Sequence, residues 1–268
     1  MIARPGRLVL LGHPVAHSIS PRFQNAALRA AGIPLRYEAV DVTPEHLDEM
    51  LAELARENAA GNVTIPHKEA MAARCTRLSE LAERCGAVNT FWHEDGALVG
   101  DNTDVGGLDM VVRALIGSAS GRVRIALVGA GGSAAAVLCA AEGWPTARVR
   151  VYNRHMARAE QLVARFPEIA STASSLEDAL HGATLVVNAT PIGMRDDEHP
   201  VPIEALPPDA AVFDLVYRAH ETAWVRAARE AGHRAADGEG MLVEQGALAF
   251  ERWFGVPPDR NAMWKAMH

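Results

Sequence analysis

The sequence predicts an α/β protein built from two α/β domains. Its 268 residues suffice for two modest domains at about 100–200 residues each. Strand-like and helix-like segments alternate almost from end to end, which is typical of α/β folds. In the second half, four apolar runs rich in β-branched residues are typical of parallel strands buried on both faces. Together these observations place a doubly wound sheet in the second half of the chain.

The composition excludes several classes of function. Lys and Arg number 26 against 33 Asp and Glu, so the net charge of −7 argues against binding nucleic acid or an anionic membrane through phosphate neutralisation. No apolar run approaches the roughly 20 residues that a membrane span needs. The three cysteines, none in a CxxC pair, are typical of a reducing compartment, so we expect a cytoplasmic protein. The spacing of the histidines predicts no metal site.

The first half contains predicted strands at 7–12, 36–42, 61–66, 87–92 and 96–101, and predicted helices at 21–32, at 44–57, from about 67, and at 105–115. The apolar stretch at 7–12 follows arginines but is too short for the core of a signal peptide, so we expect a first strand. Ser20 and Thr43 are predicted to cap the first two helices, with Pro21 and Pro44 at the first helical positions.

A turn-rich break at 117–121 precedes the second half. Apolar strands are predicted at 123–129, 147–153, 183–189 and 210–217, with helices between them. The segment 240–255 has apolar residues at helical spacing, and we expect this helix to return to the first domain. The first domain would then be discontinuous in sequence.

A glycine-rich turn follows the first of these apolar strands. Gly129, Gly131 and Ala134 match the pattern G-x-G-x-x-G/A at the start of a helix. Gly129 permits a tight turn, and Gly131 allows the backbone to approach a pyrophosphate group. The helix N-terminus adds free N–H groups and the positive end of the helix dipole. Because the flanking strand and the next βα unit are both present, the pattern predicts a dinucleotide site.

The end of the next strand indicates which dinucleotide binds. A site for NAD usually places Asp or Glu there, about 20 residues after the glycines, to bind the ribose 2′-hydroxyl. This chain has Asn153, Arg154 and His155 at that point, with Arg158 one helical turn later. A pair of guanidinium groups suits a 2′-phosphate. The sequence therefore favours NADP(H).

Polar residues also cluster at strand ends in the first half. Ser18 follows the first strand, Asn62 and Lys68 belong to the segment around the third, and Asn89 and Asp104 lie near the last two. Ligands bind at strand ends in α/β folds. Hydroxyl and amide groups gathered there suit a small polyol, while a Lys and an Asp can move a proton.

The chain resembles the shikimate dehydrogenases in motifs that extend over almost its whole length. In order these are GHPVAHSISP, NVTIPHK, GAVNT, GDNTD, GAGGSA, NRHMAR, NATPIGM, DLVY and GMLVEQGALAFERW. The resemblance implies a substrate-binding domain at 1–104 plus 239–268, a Rossmann NADP-binding domain at 105–238, and a cleft between them. It also implies the reversible, NADP-dependent reduction of 3-dehydroshikimate to shikimate, on the route to chorismate and aromatic amino acids.

The resemblance further implies particular site residues. Lys68 and Asp104 match the catalytic pair. Substrate contacts are implied at Ser18, Ser20, Asn62, Thr64, Asn89, Tyr217 and Gln245. Cofactor contacts are implied at Glu80, Gly129, Ala130, Gly131, Gly132, Ser133, Asn153, Arg154, His155, Arg158, Leu215 and Gly238. We expect small-molecule partners, with no metal, nucleic acid or membrane, and the sequence does not distinguish a monomer from a homodimer.

Three departures from the family motifs bear on these expectations. His155 stands where the family has Thr, Pro191 removes a backbone donor from NATPIG, and Glu244 adds a negative charge beside Gln245. Enzymes that act on quinate or aminoshikimate share most of the motifs and are the alternative within this chemistry. A metabolite sensor without catalysis is the alternative outside it, but such a sensor is expected to lose the Lys or the Asp of the catalytic pair.

Overall fold

The computed structural model describes residues 4–117, 122–218 and 220–268. The chain divides into two compact units, Met1–Gly107 with Leu242–His268, and Leu108–Met241. Each unit contains one six-stranded sheet with helices, so the predicted α/β class is confirmed. Most of the predicted break, 118–121, lies outside the described residues.

The strands and helices follow one another along the chain as predicted, with a few additions. The strands are β1 (Leu8–Gly12), β2 (Tyr37–Asp41), β3 (Ala60–Val63), β4 (Arg77–Leu78), β5 (Thr90–Glu94), β6 (Ala97–Asp101), β7 (Arg124–Val128), β8 (Arg148–Tyr152), β9 (Ala170–Thr172), β10 (Leu185–Asn188), β11 (Ala211–Asp214) and β12 (Ala235–Ala236). The α-helices are α1 (Ser20–Ala30), α2 (Leu47–Arg56), α3 (Lys68–Ala72), α4 (Glu80–Cys85), α5 (Asp104–Ile116), α6 (Gly132–Glu142), α7 (Met156–Val163), α8 (Leu176–Leu180), α9 (Ala223–Glu230), α10 (Glu239–Phe254) and α11 (Arg260–Met267).

The sheet of the first unit is mixed, with strand order β2-β1-β3-β5-β6-β4. Strands β2, β1 and β3 are parallel, whereas β5 runs antiparallel to both β3 and β6. The hairpin between β5 and β6 turns at Asp95 and Gly96, both with positive φ, as a tight turn requires. Because β1 and β3 are parallel, the residues that follow them meet at one edge of the sheet.

Successive residues of β1 pack into two separate cores, one on each face of the sheet. Leu8 and Leu10 belong to a cluster with residues of α1, α10 and α11, while Val9 and Leu11 belong to a cluster with residues of α2 and β3. Phe250 of α10 is fully buried in the first cluster. The predicted C-terminal helix therefore packs in the first unit and completes its core.

The sheet of the second unit is entirely parallel, with strand order β12-β11-β10-β7-β8-β9. This is the order of a Rossmann fold, in which the two halves diverge from the first strand of the domain. The four predicted strands form its centre, and β10 and β11 are buried along their whole length. Burial on both faces explains why these strands read as continuous apolar runs.

The predicted helix cap at Ser20 is wrong, whereas Thr43 occupies the predicted cap position, with Pro44 following it, but makes no side-chain cap. Ser20 is the first residue inside α1, and its backbone N–H donates to the Ser18 hydroxyl at 3.3 Å, so Ser18 supplies the polar contact. Thr43 precedes a 3₁₀ turn over Pro44–His46 and makes no side-chain bond to a helical N–H. Its hydroxyl lies 3.0 Å from the His46 ring instead.

In the described part of the chain, no helix is long and apolar enough to cross a membrane.

Candidate active site

The first unit contains a buried ion pair between Lys68 and Asp104. The Lys68 ammonium nitrogen Nζ lies 2.6 Å from Asp104 Oδ2, and the two side chains are 16% and 7% exposed. Lys68 begins α3 and Asp104 begins α5, so both side chains leave their helices at the first residue. The predicted Lys and Asp, 36 residues apart in sequence, are thus brought into direct contact.

Asn89 holds the other oxygen of Asp104. Its side-chain nitrogen Nδ2 lies 2.8 Å from Asp104 Oδ1, 3.0 Å from the Thr103 hydroxyl and 3.1 Å from Gln245 Oε1. Its oxygen Oδ1 accepts from the Thr103 backbone N–H at 2.7 Å. Asn89 is 2% exposed. Both oxygens of Asp104 are therefore engaged, one by an ammonium group and one by an amide, which fixes the carboxylate plane.

Two further predicted residues join this cluster. Gln245, on α10, accepts from Asn89 and donates through Nε2 to the Leu242 carbonyl at 2.7 Å. Asn62, at the third position of β3, donates through Nδ2 to the Asn89 carbonyl at 3.1 Å. The hydroxyl of Tyr37 donates to Asn62 Oδ1 at 2.8 Å. Asn62, Asn89 and Gln245 thus form one hydrogen-bonded network with the ion pair.

Tyr37 was not among the sequence-predicted site residues. It opens β2, is 1% exposed, and stacks against Trp253 with ring centroids 6.0 Å apart. The Trp253 indole N–H donates to the Thr90 hydroxyl at 3.0 Å. A tyrosine in a strand with alternating polarity is predicted to be a core residue, and no sequence motif indicates that its hydroxyl contacts Asn62.

Asp101 and Asn102 orient the start of α5. Asp101 is 2% exposed, and its carboxylate accepts from the Asn102 N–H at 2.7 Å and from Arg252 Nε at 2.7 Å. It also accepts from the Ser79 hydroxyl. Asn102 accepts from the Asp104 N–H at 3.1 Å. The motif GDNTD is the signal for these two residues, while nothing in the sequence points to Arg252.

The predicted substrate residues Ser18, Ser20 and Thr64 lie at the carboxyl ends of β1 and β3. Ser18 and Thr64 are half-buried and Ser20 is 6% exposed. The Thr64 N–H donates to the Leu11 carbonyl at 2.8 Å, which ties this loop to β1. A Cβ on Gly12 would meet the Thr64 methyl group at 2.5 Å, so only glycine fits beside Thr64. Two hydroxyl-bearing loops therefore share this sheet edge.

In the second unit the glycine turn follows β7 and opens α6. Gly129 has φ +117°, and a Cβ there would meet the Ala189 carbonyl oxygen at 2.7 Å. Gly131 has open space where a Cβ would stand. With Ala130, Gly132 and Ser133 they form a short backbone turn at the N-terminus of an 11-residue helix, whose first N–H groups have no partner within the helix. The geometry fits a pyrophosphate group.

The residues after β8 carry positive charge beside this turn. The Gly129 N–H donates to the Tyr152 carbonyl at 2.8 Å, so the glycine turn and the end of β8 are adjacent. Arg154, His155 and Arg158 are exposed, and neither arginine forms an ion pair with another described residue. In a chain with net charge −7, unpaired guanidinium groups there make the surface locally positive, which favours an anion.

Asn153 shapes the same segment. Its Nδ2 donates to the His155 carbonyl at 2.9 Å, and the Arg158 N–H donates to that carbonyl at 3.0 Å.

Among the described residues no group of three or more His, Cys, Asp or Glu is placed to hold a metal ion.

Leu215 and Gly238 are brought together in the second unit. A Cβ on Gly238 would meet the Leu215 carbonyl oxygen at 2.4 Å. Leu215 and Tyr217 follow β11, and both are half-buried. Asp214, which ends β11, was not predicted. It accepts from the Asn188 amide at 2.8 Å, from the Thr222 hydroxyl at 2.8 Å and from the Val216 N–H at 3.0 Å. Burial raises the pKa of Asp214 to about 6.

Glu80 and Glu244 are two further residues singled out by the sequence, and only Glu244 has an ion-pair partner among the described residues. Glu80 begins α4 in the first unit, after the Ser79 cap. Glu244, expected to add negative charge beside Gln245, is paired with Arg260 at 3.0 Å and is 15% exposed. Its charge is therefore compensated by Arg260.

Two family models match the chain. The shikimate dehydrogenase substrate binding domain matches residues 10–91, and the shikimate 5′-dehydrogenase C-terminal domain matches residues 238–268. A shikimate dehydrogenase (NADP(+)) from Rubrobacter xylanophilus is 43% identical over 267 residues, which cover 96% of this chain and 94% of that protein.

Solved structures give the same result. Shikimate 5-dehydrogenase from Thermus thermophilus, in complex with NADP(H) and shikimate, has a TM-score of 0.88 and 39% identity over 97% of this chain and 98% of its own. Quinate dehydrogenase from Corynebacterium glutamicum, in complex with NAD, has a TM-score of 0.86 at 29% identity, with 97% of each chain covered. This chain belongs to the shikimate dehydrogenase family.

Proposed function

We propose that this protein is an NADP-dependent shikimate dehydrogenase, which interconverts 3-dehydroshikimate and shikimate. The observation that carries the proposal is the buried pair of Lys68 and Asp104 at 2.6 Å, inside a network of amides. The relatives named shikimate dehydrogenase (NADP(+)) support both the substrate and the cofactor.

Lys68 is the proposed general acid and base. Oxidation of a secondary alcohol removes a hydride and a proton, and bound NADP⁺ supplies the hydride acceptor. The proton must pass to a side chain, and Lys68 can take it when its amine is neutral, becoming the ammonium ion that pairs with Asp104. Asp104 then positions the substrate hydroxyl and the amine together. In the reverse direction Lys68 returns a proton to the carbonyl oxygen of 3-dehydroshikimate.

The remaining polar residues of the first unit are the proposed substrate contacts. Ser18 and Ser20 offer hydroxyl donors for the ring carboxylate at the carboxyl end of β1, and Thr64 offers a third at the end of β3. The amides that border the ion pair suit the ring hydroxyls; these are Asn62, Asn89 and Gln245. Tyr217 of the second unit is a proposed contact to the carboxylate or to a hydroxyl. This makes Met1–Gly107 with Leu242–His268 the proposed substrate-binding unit.

The second unit is the proposed NADP-binding unit. The turn Gly129–Ser133 suits the pyrophosphate. The 2′-phosphate is the proposed ligand of four residues after β8, namely Asn153, Arg154, His155 and Arg158. Leu215 and Gly238 are proposed to contact the nicotinamide end, and Glu80 is proposed to lie near the cofactor. The absence of an acidic residue after β8 supports NADP over NAD. We also propose a cytoplasmic location, supported by three cysteines that are free in the structure.

Quinate is the second candidate substrate, because the quinate dehydrogenase structure has the same fold over 97% of this chain. The absorbance of reduced nicotinamide, followed with shikimate or quinate and with NADP⁺ or NAD⁺, separates the two. Turnover confined to shikimate and NADP⁺ is the expected result. Turnover on quinate, or equal turnover with NAD⁺, would assign the protein to the alternative.

The role of Lys68 has its own test. Lys68→Met should lower kcat by about 10²–10⁴, with KM within a fewfold of the wild type, because only proton transfer is lost. Lys265, the only other lysine in the chain, is exposed on α11, so Lys265→Met is a matched control. A Lys68→Met variant with nearly full turnover would exclude Lys68 as the acid and base.

A further inference from the structure

A cavity of about 400 Å³ lies within the second unit, at the amino ends of β7, β8 and β9. We propose that this cavity binds a small organic phosphate, whose phosphate group is held between the guanidinium groups of Arg124 and Arg148. The site lies outside the proposed dehydrogenase function and does not depend on it.

The cavity is separate from the proposed cofactor site. Arg124 opens β7, whereas the glycine turn follows the last residue of the same strand, Val128. A strand of five residues extends over roughly 16 Å, at about 3.3 Å per residue. Because every strand of this sheet is parallel to its neighbours, all amino ends meet at one edge and all carboxyl ends at the other. The cavity and the glycine turn therefore lie at opposite edges of the sheet.

The two arginines at the cavity stand side by side without an internal partner. Arg124 and Arg148 are paired in the register of β7 and β8, so their side chains leave the same face of the sheet. Both are exposed, and neither forms an ion pair with another residue that the structure describes. Arg148 Nη1 donates to the Ala147 carbonyl at 2.7 Å. Adjacent like charges on paired strands repel each other unless an anion lies between them.

Hydrogen bonds hold the walls of the cavity in place. Arg150 leaves the same face of β8 as Arg148 and donates to the Asp178 carbonyl at 2.7 Å and to its carboxylate at 3.1 Å. This contact ties α8 to β8. The Arg124 N–H donates to the Thr184 hydroxyl at 3.0 Å, and the Thr184 N–H donates to the Arg124 carbonyl at 2.8 Å. Both arginines are thus carried by a held backbone, which lowers the entropy cost of binding an anion.

The charges that line the cavity favour a dianion. The ionisable lining side chains are Arg124, Arg148, Arg150, Glu168 and His181. The charge of Arg150 is compensated by Asp178, which leaves Arg124 and Arg148 against the single carboxylate of Glu168. A phosphate monoester carries close to two negative charges and three terminal oxygens, whereas a carboxylate has one charge and two oxygens. Two guanidinium groups, with five N–H donors each, match the phosphate better.

The remaining lining favours a ligand with a carbon part. Pro167, Ile169 and Ala183 present apolar atoms to the cavity. A volume of about 400 Å³ falls within the range of about 300–1,000 Å³ that is usual for small organic ligands. An inorganic phosphate ion would contact the arginines but would leave the apolar surface in contact with water.

Titration of the full chain with phenyl phosphate at pH 7.5 and low salt tests the proposal. Amide shifts in two-dimensional ¹⁵N NMR spectra report binding residue by residue. Saturable shifts should be centred on the amides of Val149, Ala170 and Ala183 at the cavity. Inorganic phosphate should bind at least about threefold more weakly, because it buries no apolar surface.

Variants of nearly equal shape separate the charges. Arg124→Gln and Arg148→Gln should each weaken phenyl phosphate binding by about two- to fivefold, because each removes one positive charge from the phosphate. Glu168→Gln is the matched change of opposite sign and should tighten binding by a similar factor. Arg154→Gln, which removes a positive charge beside the glycine turn, should leave the dissociation constant unchanged. All four side chains are exposed, so the variants should fold like the wild type.

Three outcomes overturn the inference. Shifts at the cavity that do not saturate up to about 20 mM phenyl phosphate would mean that the cavity is not a binding site. Binding that is weakened by Arg154→Gln and not by Arg124→Gln would place the phosphate at the proposed cofactor site and leave the proposed function standing. Equal affinity for inorganic phosphate would exclude an organic ligand. Conversely, a failure to turn over shikimate with NADP⁺ would leave the phosphate site untouched.

Discussion

Asp214 makes the stability of the protein depend on pH in a direction unusual for a carboxylate. It is completely buried at the end of β11, and burial raises its pKa from 3.8 to about 6, against the opposing effect of three hydrogen bonds from Thr222, Val216 and Asn188. A raised pKa in the folded state means that the folded protein holds the proton more tightly than the unfolded chain. The stability that Asp214 contributes is therefore fully present below about pH 4 and is lost as pH rises through about 6.

The magnitude follows from the two pKa values. Raising a pKa from 3.8 to about 6 corresponds to about 3 kcal/mol, at about 1.36 kcal/mol for each pH unit. In Asp214→Asn the side chain stays uncharged and can still accept from Asn188 and from the Val216 N–H. The free energy of unfolding of the variant, relative to the wild type, should therefore increase by about 2.4 kcal/mol between pH 4 and pH 7, because part of the full change occurs below pH 4.

Urea unfolding followed by circular dichroism at pH 4, 5, 6 and 7 measures this difference. Asp178→Asn is the control, because the backbone N–H of Ser174 holds the pKa of the exposed Asp178 below its usual range. The stability contributed by Asp178 is lost only below about pH 4, so the difference between Asp178→Asn and the wild type should stay nearly constant from pH 4 to pH 7. A difference between Asp214→Asn and wild type that stays constant across this range would refute the assignment.

Three smaller changes test the glycine turn and the core. Gly131→Ala should leave the melting temperature unchanged, because its Cβ meets nothing within 4 Å. The same change should weaken NADP⁺ binding at least about tenfold in a titration, because the methyl group would occupy the space of the pyrophosphate. Gly129→Ala should instead lower stability by about 1–3 kcal/mol in urea unfolding, because φ is +117° and the Ala189 carbonyl is in the way. Trp253→Phe should cost about 1 kcal/mol in the same assay by removing the hydrogen bond to Thr90, and no loss would mean that this bond contributes nothing.

The strands of the second unit were predictable because parallel strands buried on both faces leave an unbroken apolar signal. The predicted runs at 123–129 and 183–189 contain β7 and β10. The short strands β4, β9 and β12 were missed, since two or three residues at a sheet edge have no periodicity to detect. Helix α11 was missed because its eight residues make only about two turns, too short a stretch to show a clear period even though Met263 and Met267 are buried at helical spacing.

The residue types of the candidate site were predictable, but their hydrogen bonds were not. Lys68 and Asp104 could be identified from motifs, and the structure joins them directly. Tyr37 and Arg252, by contrast, contact the site network through partners 25 and 151 residues away in sequence. Sequence spacing carries no information about such contacts, because the packing of β2 and α10 determines them. The wrong cap at Ser20 has a local origin instead, since two serines two residues apart precede the same helix and either fits the capping pattern.

The use of lysine in this chain supports a chemical role for residue 68. The sequence contains only two lysines, and most of the other ion pairs among the described residues are formed by arginine, including the one with Asp101 in the same network. Arginine would make the stronger paired contact with a carboxylate, but it cannot release a proton in a protein. Burying an ion pair also carries a desolvation cost that often equals its attraction, so stability alone does not favour a buried Lys–Asp pair. A lysine held against Asp104 by a fixed amide network is what proton transfer requires and what packing alone would not select.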